Sequence, residues 1–449
     1  MLEKKGGIME KNSNESLAEK IFRLKEKKTN VKTEIMAGIT TFMTMSYILA
    51  VNPQILGDAG MDKGAVFTAT IIASIIAILI MALYANLPFA LAPGMGLNAF
   101  FTYTVVMTMG KSWEFALAAV FIEGIIFVFL TFFNVREAIF NAIPRSLKTA
   151  VSVGIGLFIS LIGLLNSTVI VKNDVGLGLG NLVSKESFIF FIGLLIMAVL
   201  TARKTKGALL IGIVISTIIA LFTGVSKLPE GGIIQLPPSL SPIAFKLDFS
   251  SIFSLEMFSV VFAFLFVDLF DTIGTLTGVA TKAKMLDENG QLPNAGRALF
   301  ADSIGTTLGA LLGTSTVTTF VESATGVAEG GRTGLTALST GFCFFLSIFF
   351  YPLITIIPAQ ATAAALVMVG LFMIDSIVDI NFGDFTESFP AFMTIIMMPF
   401  AYSIAEGIAF GMISYASVKL LTGKGKEVSP LVYVLALVFL LRYLLPLFS

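Results

Sequence analysis

The sequence predicts an all-α polytopic membrane protein of about 14 transmembrane segments. These form two inverted repeats of seven (7+7), with two broken helices and short strands at the centre. Three observations predict this fold class: the composition, the length of the uncharged intervals, and a matched pair of interrupted segments. Of the 449 residues, 56% are hydrophobic and only 13% are charged. A water-soluble fold cannot hide so much apolar surface.

The uncharged intervals are long enough to cross a bilayer. No charged residue occurs from Ile35 through Gly57 or from Gly64 through Gly110, and a transmembrane helix needs roughly 20 apolar residues. Inside hydrocarbon the backbone must satisfy its own hydrogen bonds, and the segments lack the alternation of a transmembrane barrel. The spans are therefore predicted to be helices.

The polar composition argues against several classes of protein. Twenty-nine Lys and Arg balance 29 Asp and Glu, so no basic surface indicates a nucleic-acid partner. His is absent and the single cysteine, Cys343, lies in an apolar run. No metal, cofactor or internal disulfide is therefore expected. The chain also lacks the nucleophile and base that an intramembrane enzyme would use. Any proton chemistry must therefore use carboxylates.

Apolar segments follow one another along the whole chain. Their approximate limits are 35–56, 66–86, 98–109, 115–134, 148–166, 187–202, 207–224, 251–274, 297–313, 323–330, 333–351, 354–374, 391–420 and 429–447. The segment at 391–420 is too long for a simple crossing and contains Pro399. A broken helix or a re-entrant hairpin is expected there.

Lys and Arg in the connections indicate the orientation, because they prefer the cytoplasm. The tail at 1–34 is polar and Lys-rich, without the apolar stretch and cleavage site of a signal peptide. The loops at 136–148 and 203–206 carry further basic residues and fit returns to the same side. We expect a multi-pass protein of the plasma membrane with a cytoplasmic amino terminus.

A polar, proline-containing linker at 226–250 divides the chain into two halves. An odd number of crossings per half inverts the second relative to the first. Ala92-Pro-Gly-Met-Gly96 interrupts an apolar run in the first half, and the β-branched stretch 313–322 interrupts the second. Such breaks expose backbone groups, which are tolerated at membrane depth only beside protein or a polar cavity. The two breaks are therefore predicted to face each other across a site.

Acids within the spans are few and costly, so each needs a partner, a cavity or a proton. Asp268, Asp271 and Thr275 have i, i+3, i+7 spacing and share one helical face. Glu322 opens a half-helix, where unpaired N–H groups favour a carbonyl or a carboxylate. Asp271 and Glu322 are expected to face the site, because they lie beside the breaks. Two roles are open for Asp268: it either supports the site from behind or forms part of a proton path.

The other acids have simpler interpretations. Pairing with polar groups between helices is expected for Glu123, Asp302 and Glu406. Glu329 lies three residues before Arg332 and is expected to pair with it near the cytoplasmic face.

The first break supplies an amide and an aromatic ring. Asn98 donates and accepts hydrogen bonds, and Phe101 offers a flat apolar face. The alternative is that Asn98 only caps the half-helix. Two carboxylates, an amide, backbone donors and a ring together fit a small planar heterocycle with N–H donors and a carbonyl acceptor.

At these residues the sequence resembles the nucleobase–cation symporters, specifically their azaguanine-like branch of guanine, hypoxanthine and adenine permeases. The resemblance runs through nearly the whole chain, from Met36-Ala-Gly-Ile-Thr-Thr-Phe-Met-Thr-Met-Ser-Tyr47 to the last span. Its most specific motifs are Ala92-Pro-Gly-Met-Gly-Leu-Asn98-Ala-Phe100, Phe270-Asp271-Thr-Ile-Gly274-Thr275 and Thr318-Thr-Phe-Val-Glu322-Ser-Ala-Thr-Gly326.

The resemblance implies a core domain and a gate domain with the purine bound between them. It assigns 35–135 and 251–351 to the core, 136–225 and 352–449 to the gate, and leaves 1–34 as the tail and 226–250 as the linker. It also implies a homodimer formed through the gate domain.

The same resemblance assigns roles to particular residues. Uracil and xanthine relatives often have Glu in segment eight with His one turn later, or Gln-Asn in segment ten. Here the corresponding residues are Asp271, Thr275 and Glu322-Ser323, which implies the purine branch and leaves the proton on a carboxylate. The implied substrate site comprises Asp271, Glu322, Asn98, Thr275, Ser323 and Phe101, with Asp271, Glu322 and Asp268 as proton carriers.

The expected function is import of purine bases by proton symport and alternating access, with a purine, a proton and the lipid bilayer as partners. The alternatives are a uracil or xanthine permease, or an anion exchanger or channel on the same fold. An anion site favours half-helix dipoles supplemented by Arg or Lys, whereas these breaks carry acids.

Overall fold

The computed structural model describes residues 16–133, 143–173, 176–229, 232–282, 284–285 and 292–444. Within these ranges, nine helical stretches of at least 18 residues are apolar enough to cross a bilayer. The predicted helical membrane architecture is therefore confirmed. Most of the basic loop predicted at 136–148 lies outside the described residues.

In the first half, polar N-cap side chains begin several helices: Asn30, Asp62, Ser112 and Ser184 each accept a hydrogen bond from the first turn. The elements are α1 Leu17–Phe22, α2 Val31–Met45, α3 Ile48–Asp58, α4 Lys63–Ile80, β1 Leu91–Pro93, α5 Met95–Ala99, α6 Trp113–Phe132, α7 Arg145–Asn166, β2 Ile170–Asn173, β3 Gly176–Leu179, α8 Lys185–Ala202 and α9 Ala208–Thr223. Two π-helical turns, Met81–Ala85 and Phe100–Thr108, extend α4 and α5.

The second half repeats the pattern of long helices around one short strand and one short helix. Its elements are α10 Leu255–Lys282, α11 Ala295–Leu312, β4 Val317–Thr319, α12 Ser323–Ala328, α13 Gly334–Ser347, α14 Tyr351–Thr355, α15 Ala359–Ile374, α16 Phe385–Phe400, α17 Ile404–Leu421 and α18 Pro430–Leu444. Three short 3₁₀ turns, Ile348–Phe350, Asp375–Asp379 and Gly425–Glu427, lie between or beside these helices.

The interruption expected within 391–420 separates two helices, α16 and α17. Helix α16 ends just after Pro399, Tyr402 has a left-handed φ of 54°, and Ser403 caps α17 by accepting from the N–H of Glu406. The interruption expected in this segment is therefore confirmed, and it is only three residues long. Helix α18 then folds back along α17, and the Tyr443 hydroxyl donates to the Glu406 carboxylate.

The helices pack in two groups. Helices α2, α3, α4, α6, α10, α11 and α13 surround the strands β1 and β4, whereas α7, α8, α9, α15, α16 and α17 pack together. In the second group, α7 packs closely against α15. A Cβ on Gly156 would lie 2.6 Å from the carbonyl oxygen of Gly370, and one on Gly163 would lie 2.8 Å from that of Ala363. Small residues therefore permit this close backbone approach.

Glu34 fastens α2 to the start of α13. Its side chain is fully buried, and Oε1 accepts from the N–H of Arg332 at 2.9 Å. Oε2 accepts from the hydroxyls of Thr333 at 2.8 Å and Thr336 at 2.6 Å, and from the N–H groups of both residues. A carboxylate at a helix amino terminus is also favoured by the helix dipole.

The expected pairing of Glu329 with Arg332 is wrong. Glu329 Oε1 lies 2.6 Å from Lys206 Nζ, in the connection between α8 and α9. The Arg332 guanidinium instead donates to the carbonyl oxygens of Val327 and Gly331. Local spacing suggested the wrong partner because the basic residue of a distant loop lies closer.

Substitution Glu34→Ala is expected to lower the free energy of unfolding by about 3 kcal/mol or more, because several buried donors lose their acceptor. The melting temperature in detergent should fall correspondingly. Glu256→Ala is the control, since the Glu256 side chain is 56% exposed and pairs with Lys111 at the surface. Its effect should stay below about 1 kcal/mol. Equal melting temperatures for both variants would contradict this role of Glu34.

Candidate functional site

The two interrupted stretches meet as a two-stranded antiparallel sheet. The register places Leu91 opposite Thr319, Ala92 opposite Thr318, and Pro93 opposite Val317. The ladder continues beyond the strands, since Gly94 N–H donates to Thr316 O at 3.0 Å and Phe320 N–H donates to Ala90 O at 2.9 Å. The prediction that the breaks face each other is confirmed.

Side chains bond to backbone groups along this sheet. The Thr306 hydroxyl, on α11, donates to the carbonyl oxygen of Val317 at 3.0 Å. The N–H of Ala90 donates to the Ser323 hydroxyl at 3.0 Å, which ties the first break to α12. Extended backbone is thereby tolerated among buried residues, as irregular backbone at membrane depth requires.

A short helix follows each strand. Gly94, which has no side chain, precedes α5, and Glu322, whose side chain does not cap the helix, precedes α12. Two helix amino termini, the positive ends of their dipoles, therefore lie next to the sheet. Gly94 permits the close approach, because a Cβ there would lie 2.9 Å from Thr318 Cγ2.

Hydroxyl donors hold both predicted acids of the site. Asp271 Oδ2 accepts from the Thr318 hydroxyl at 3.0 Å, so α10 is joined to β4. Glu322 Oε1 accepts from the Tyr47 hydroxyl at 2.8 Å. The two acids are half-buried and close enough to interact electrostatically. The structure therefore brings Asp271 and Glu322 together beside the sheet.

The surface beside these acids is open. A Cβ on Gly274, three residues after Asp271, would meet no atom within 4 Å. Val321, next to Glu322, is 53% exposed although it is apolar, and Thr275 is half-buried. Both acidic residues thus border a loosely packed part of the structure.

The predicted residues of the first half are fully buried. Asn98 lies inside α5 and accepts from the Ser315 hydroxyl, so it does not cap the helix. In the described part of the chain its Nδ2 has no hydrogen-bond partner. Phe101 is buried within the π-helical turn that follows α5. Asn98 therefore contacts the second break, whereas the ring of Phe101 is enclosed in this conformation.

Further acids lie behind the sheet. The Thr316 hydroxyl donates to Glu123 at 2.9 Å, and the Thr272 hydroxyl lies 2.7 Å from Asp302 Oδ1 and 3.0 Å from Asp268 Oδ1. These three acids are fully buried. The expected pairing with polar groups of other helices is confirmed for Asp302, which contacts Thr272 on α10, and for Glu406, which contacts Tyr443 on α18. The partner of Glu123 instead lies in the second break, and Asp268 lies on the interior side of Asp271.

Sequence reasoning missed the hydroxyl residues that hold the acids. Tyr47 closes a motif noted above, and Thr318 lies within the β-branched stretch, yet neither was named as a site residue. The available signal was polar side chains inside apolar segments, next to a break. That signal does not identify the acid that each hydroxyl contacts.

A multi-pass helical protein in which two broken helices meet as paired strands has the fold of inverted-repeat membrane transporters. The transmembrane domain of the cyanobacterium bicarbonate transporter BicA matches with a TM-score of 0.66 at 17% identity, covering 84% of this chain and 97% of that one. SLC26A9 matches with a TM-score of 0.64 at 12% identity, covering 88% of this chain and 67% of that one. At these identities the likeness shows the fold alone.

The sequence comparisons define the family. The model of the xanthine/uracil permeases, described as a permease family, matches residues 32–410. The adenine permease AdeP of Escherichia coli K12 is 45% identical, covering 96% of both chains. The guanine/hypoxanthine permease PbuO of Bacillus subtilis 168 is 44% identical, covering 94% of this chain and 99% of that one. The chain belongs to the xanthine/uracil permease family, and it is a membrane transporter rather than an enzyme.

Substitution Gly94→Ala is expected to lower the free energy of unfolding by about 1–3 kcal/mol, because the added methyl group pushes against Thr318. Gly278→Ala is the matched control, since its Cβ would meet no atom within 4 Å. In the interior of α10 that change should be neutral or stabilising. Melting temperatures of the purified variants check both expectations, and a Gly94→Ala protein as stable as the parent would contradict the close approach.

Proposed function

We propose that the chain imports purine nucleobases, namely guanine, hypoxanthine or adenine, by proton symport and alternating access. The observation that carries the proposal is the pair Asp271 and Glu322, half-buried beside the paired strands and each oriented by a hydroxyl. Relatives that are 44–45% identical over nearly the whole chain are adenine and guanine/hypoxanthine permeases, which supports the substrate class.

A purine is flat and uncharged, with ring N–H donors and an acceptor or a donor at C6. In the proposed complex the carboxylates of Asp271 and Glu322 accept ring N–H groups, and backbone N–H groups at the starts of α5 and α12 donate to the ring. Thr275 completes the polar surroundings, whereas contact with Asn98 or Ser323, both fully buried here, requires another conformation. Stacking on Phe101 requires a conformation other than this one, because its ring is enclosed here.

Proton coupling follows from the cost of uncompensated acids at membrane depth. Asp271 and Glu322 interact electrostatically, so a proton on one of them lets a neutral purine enter without leaving two bare charges. Asp271 is the proposed carrier, with Glu322 and Asp268 as the other candidates. Release of the purine and the proton on the inner side then completes one cycle.

Alternating access is proposed as a movement of the core domain (35–135 and 251–351) against the gate domain (136–225 and 352–449). The two packing groups of helices support this division. Polar contacts join them near their ends. Gln54 Nε2 donates to the Ile357 carbonyl at 3.4 Å, and Lys206 pairs with Glu329 at 2.6 Å. Contacts of this kind can break and reform as the groups move.

The shared fold with a bicarbonate transporter keeps anion exchange as the competing class. Two acids bond to hydroxyls of the second break, since Thr316 contacts Glu123 and Thr318 contacts Asp271. Acidic groups repel an anion and accept from N–H donors. The site chemistry therefore favours a neutral heterocycle, and competition by uracil and xanthine tests the remaining alternative.

The direct test is uptake of labelled hypoxanthine, guanine and adenine into vesicles that contain the purified protein. An inwardly directed proton gradient should drive accumulation of at least one purine above equilibrium, and collapsing the gradient should abolish it. Protein-free vesicles are the control. Exchange of bicarbonate or sulfate without any purine uptake would overturn the proposal.

Substitutions Asp271→Ala and Glu322→Ala are expected to reduce purine uptake by about 100-fold or more, because each acid supplies charge-assisted hydrogen bonds to the ring. Both proteins should still insert into the membrane. Glu256→Ala, at the first turn of the same helix as Asp271, should keep parental uptake. Parental rates in the two site variants would refute the assignment.

A reversible crosslink between the two packing groups tests the movement. In this variant Cys343 is replaced by Ser, and Gln54 and Ile357 are replaced by Cys. A short crosslinker that joins the two cysteines through disulfide bonds should block uptake, and a reductant should restore it. Cysteines at Asp384 and Lys424, which lie in one packing group and whose side chains are 2.9 Å apart, provide the control. Undiminished uptake with the Gln54–Ile357 link in place would contradict a relative movement of the groups.

A further inference from the structure

Tyr47 is the buried residue whose hydroxyl contacts Glu322, and its effect on substrate recognition goes beyond the mechanism above. It lies between α2 and α3, where the first transmembrane span changes from one helix to the next, and only 2% of it is exposed. Its hydroxyl donates to Glu322 Oε1 at 2.8 Å. A hydroxyl in such surroundings needs a partner, and the partner here is an acid of the proposed substrate site.

Two neighbouring hydroxyls of the first span contact the end of the second break and the helix α12 that follows it. One is the bond from Tyr47 to Glu322, and the other joins the hydroxyls of Thr44 and Thr325 at 3.0 Å. Thr44 lies near the end of α2, three residues before Tyr47, and Thr325 lies in the first turn of α12. The Thr44 contact joins the same two elements without touching a carboxylate, so it provides an internal comparison.

The two carboxylate oxygens of Glu322 have different surroundings. Oε1 is occupied by a donor from the buried side, whereas the residue as a whole is half-buried and its neighbour Val321 is exposed. A hydroxyl that donates to one oxygen of a carboxylate restricts the rotation of the whole carboxylate group. The remaining oxygen, Oε2, is then an acceptor with a restricted orientation.

We propose that Tyr47 is a positioning residue of the substrate site: by occupying Oε1 of Glu322 it directs Oε2 to accept a ring N–H of the substrate. This inference rests on the proposed purine transport. Tyr47 acts through Glu322 and does not itself touch the purine. Its hydroxyl contributes to recognition because it removes the rotational freedom of the carboxylate before the ligand arrives.

The test is Tyr47→Phe, which removes the hydroxyl and keeps the buried ring. The KM for purine uptake into vesicles should rise about tenfold or more, since a charge-assisted hydrogen bond no longer orients the acceptor. The maximal rate per inserted transporter should stay within about twofold, because the ring still packs between the same elements.

Two control variants separate positioning from structural support. Tyr415→Phe removes another buried tyrosine hydroxyl that donates to a glutamate, Glu387, at 3.3 Å in the second packing group. Thr44→Val removes the neighbouring hydroxyl contact between the first span and α12. Both variants should keep the parental KM.

Each outcome decides the inference. A raised KM in Tyr47→Phe alone supports it, whereas an unchanged KM overturns it. A similar rise in Thr44→Val, or a Tyr47→Phe protein that loses its melting transition, also overturns it, because the hydroxyl is then a structural tie. If the unsubstituted protein takes up no purine, the proposed function itself is contradicted. If the unsubstituted protein transports purines and Tyr47→Phe has the same KM, only the role of Tyr47 is contradicted.

Discussion

Pairing of the extended strands β1 and β4 is the interaction on which the rest of the structure depends. Helices break near the middle of both halves, and the exposed N–H and C=O groups have no water to bind in hydrocarbon. Each break satisfies the other, and side chains such as Thr306 and Ser323 bond to adjacent backbone groups. The surrounding helices must therefore hold the two halves in one register.

The pairing of the two strands also determines where the acidic side chains of the site lie. Threonines in and beside β4 bond to different acids. Thr318, within the strand, reaches Asp271 on α10, whereas Thr316, just before the strand, reaches the buried Glu123 on α6. Glu322 follows at the point where the strand becomes a helix, with Tyr47 beside it. Carboxylates that are costly elsewhere in the membrane thus have donors on one side and a loosely packed region on the other.

Much of this arrangement could be predicted from the sequence, since acids and Pro-Gly breaks are rare within apolar segments. Asp271 and Glu322 lie together as expected, and the strands pair as expected. The failures involve neighbours that are distant along the chain. Lys206 replaces Arg332 as the partner of Glu329, and the Tyr47–Glu322 bond joins residues from different halves. The break after α16 was expected from the length of the segment and from Pro399, whereas hydropathy alone did not distinguish a broken helix from a re-entrant hairpin.

The central sheet contains one strand from each half, and this has a consequence for assembly of the chain. During synthesis β1 enters the bilayer long before β4 exists, so its edge has no permanent partner until the second half follows. The first half alone is consequently an incomplete folding unit. We expect a cut within 226–250 to leave two fragments that need each other to stay folded in the membrane. Co-expression of both fragments should supply each strand with its partner.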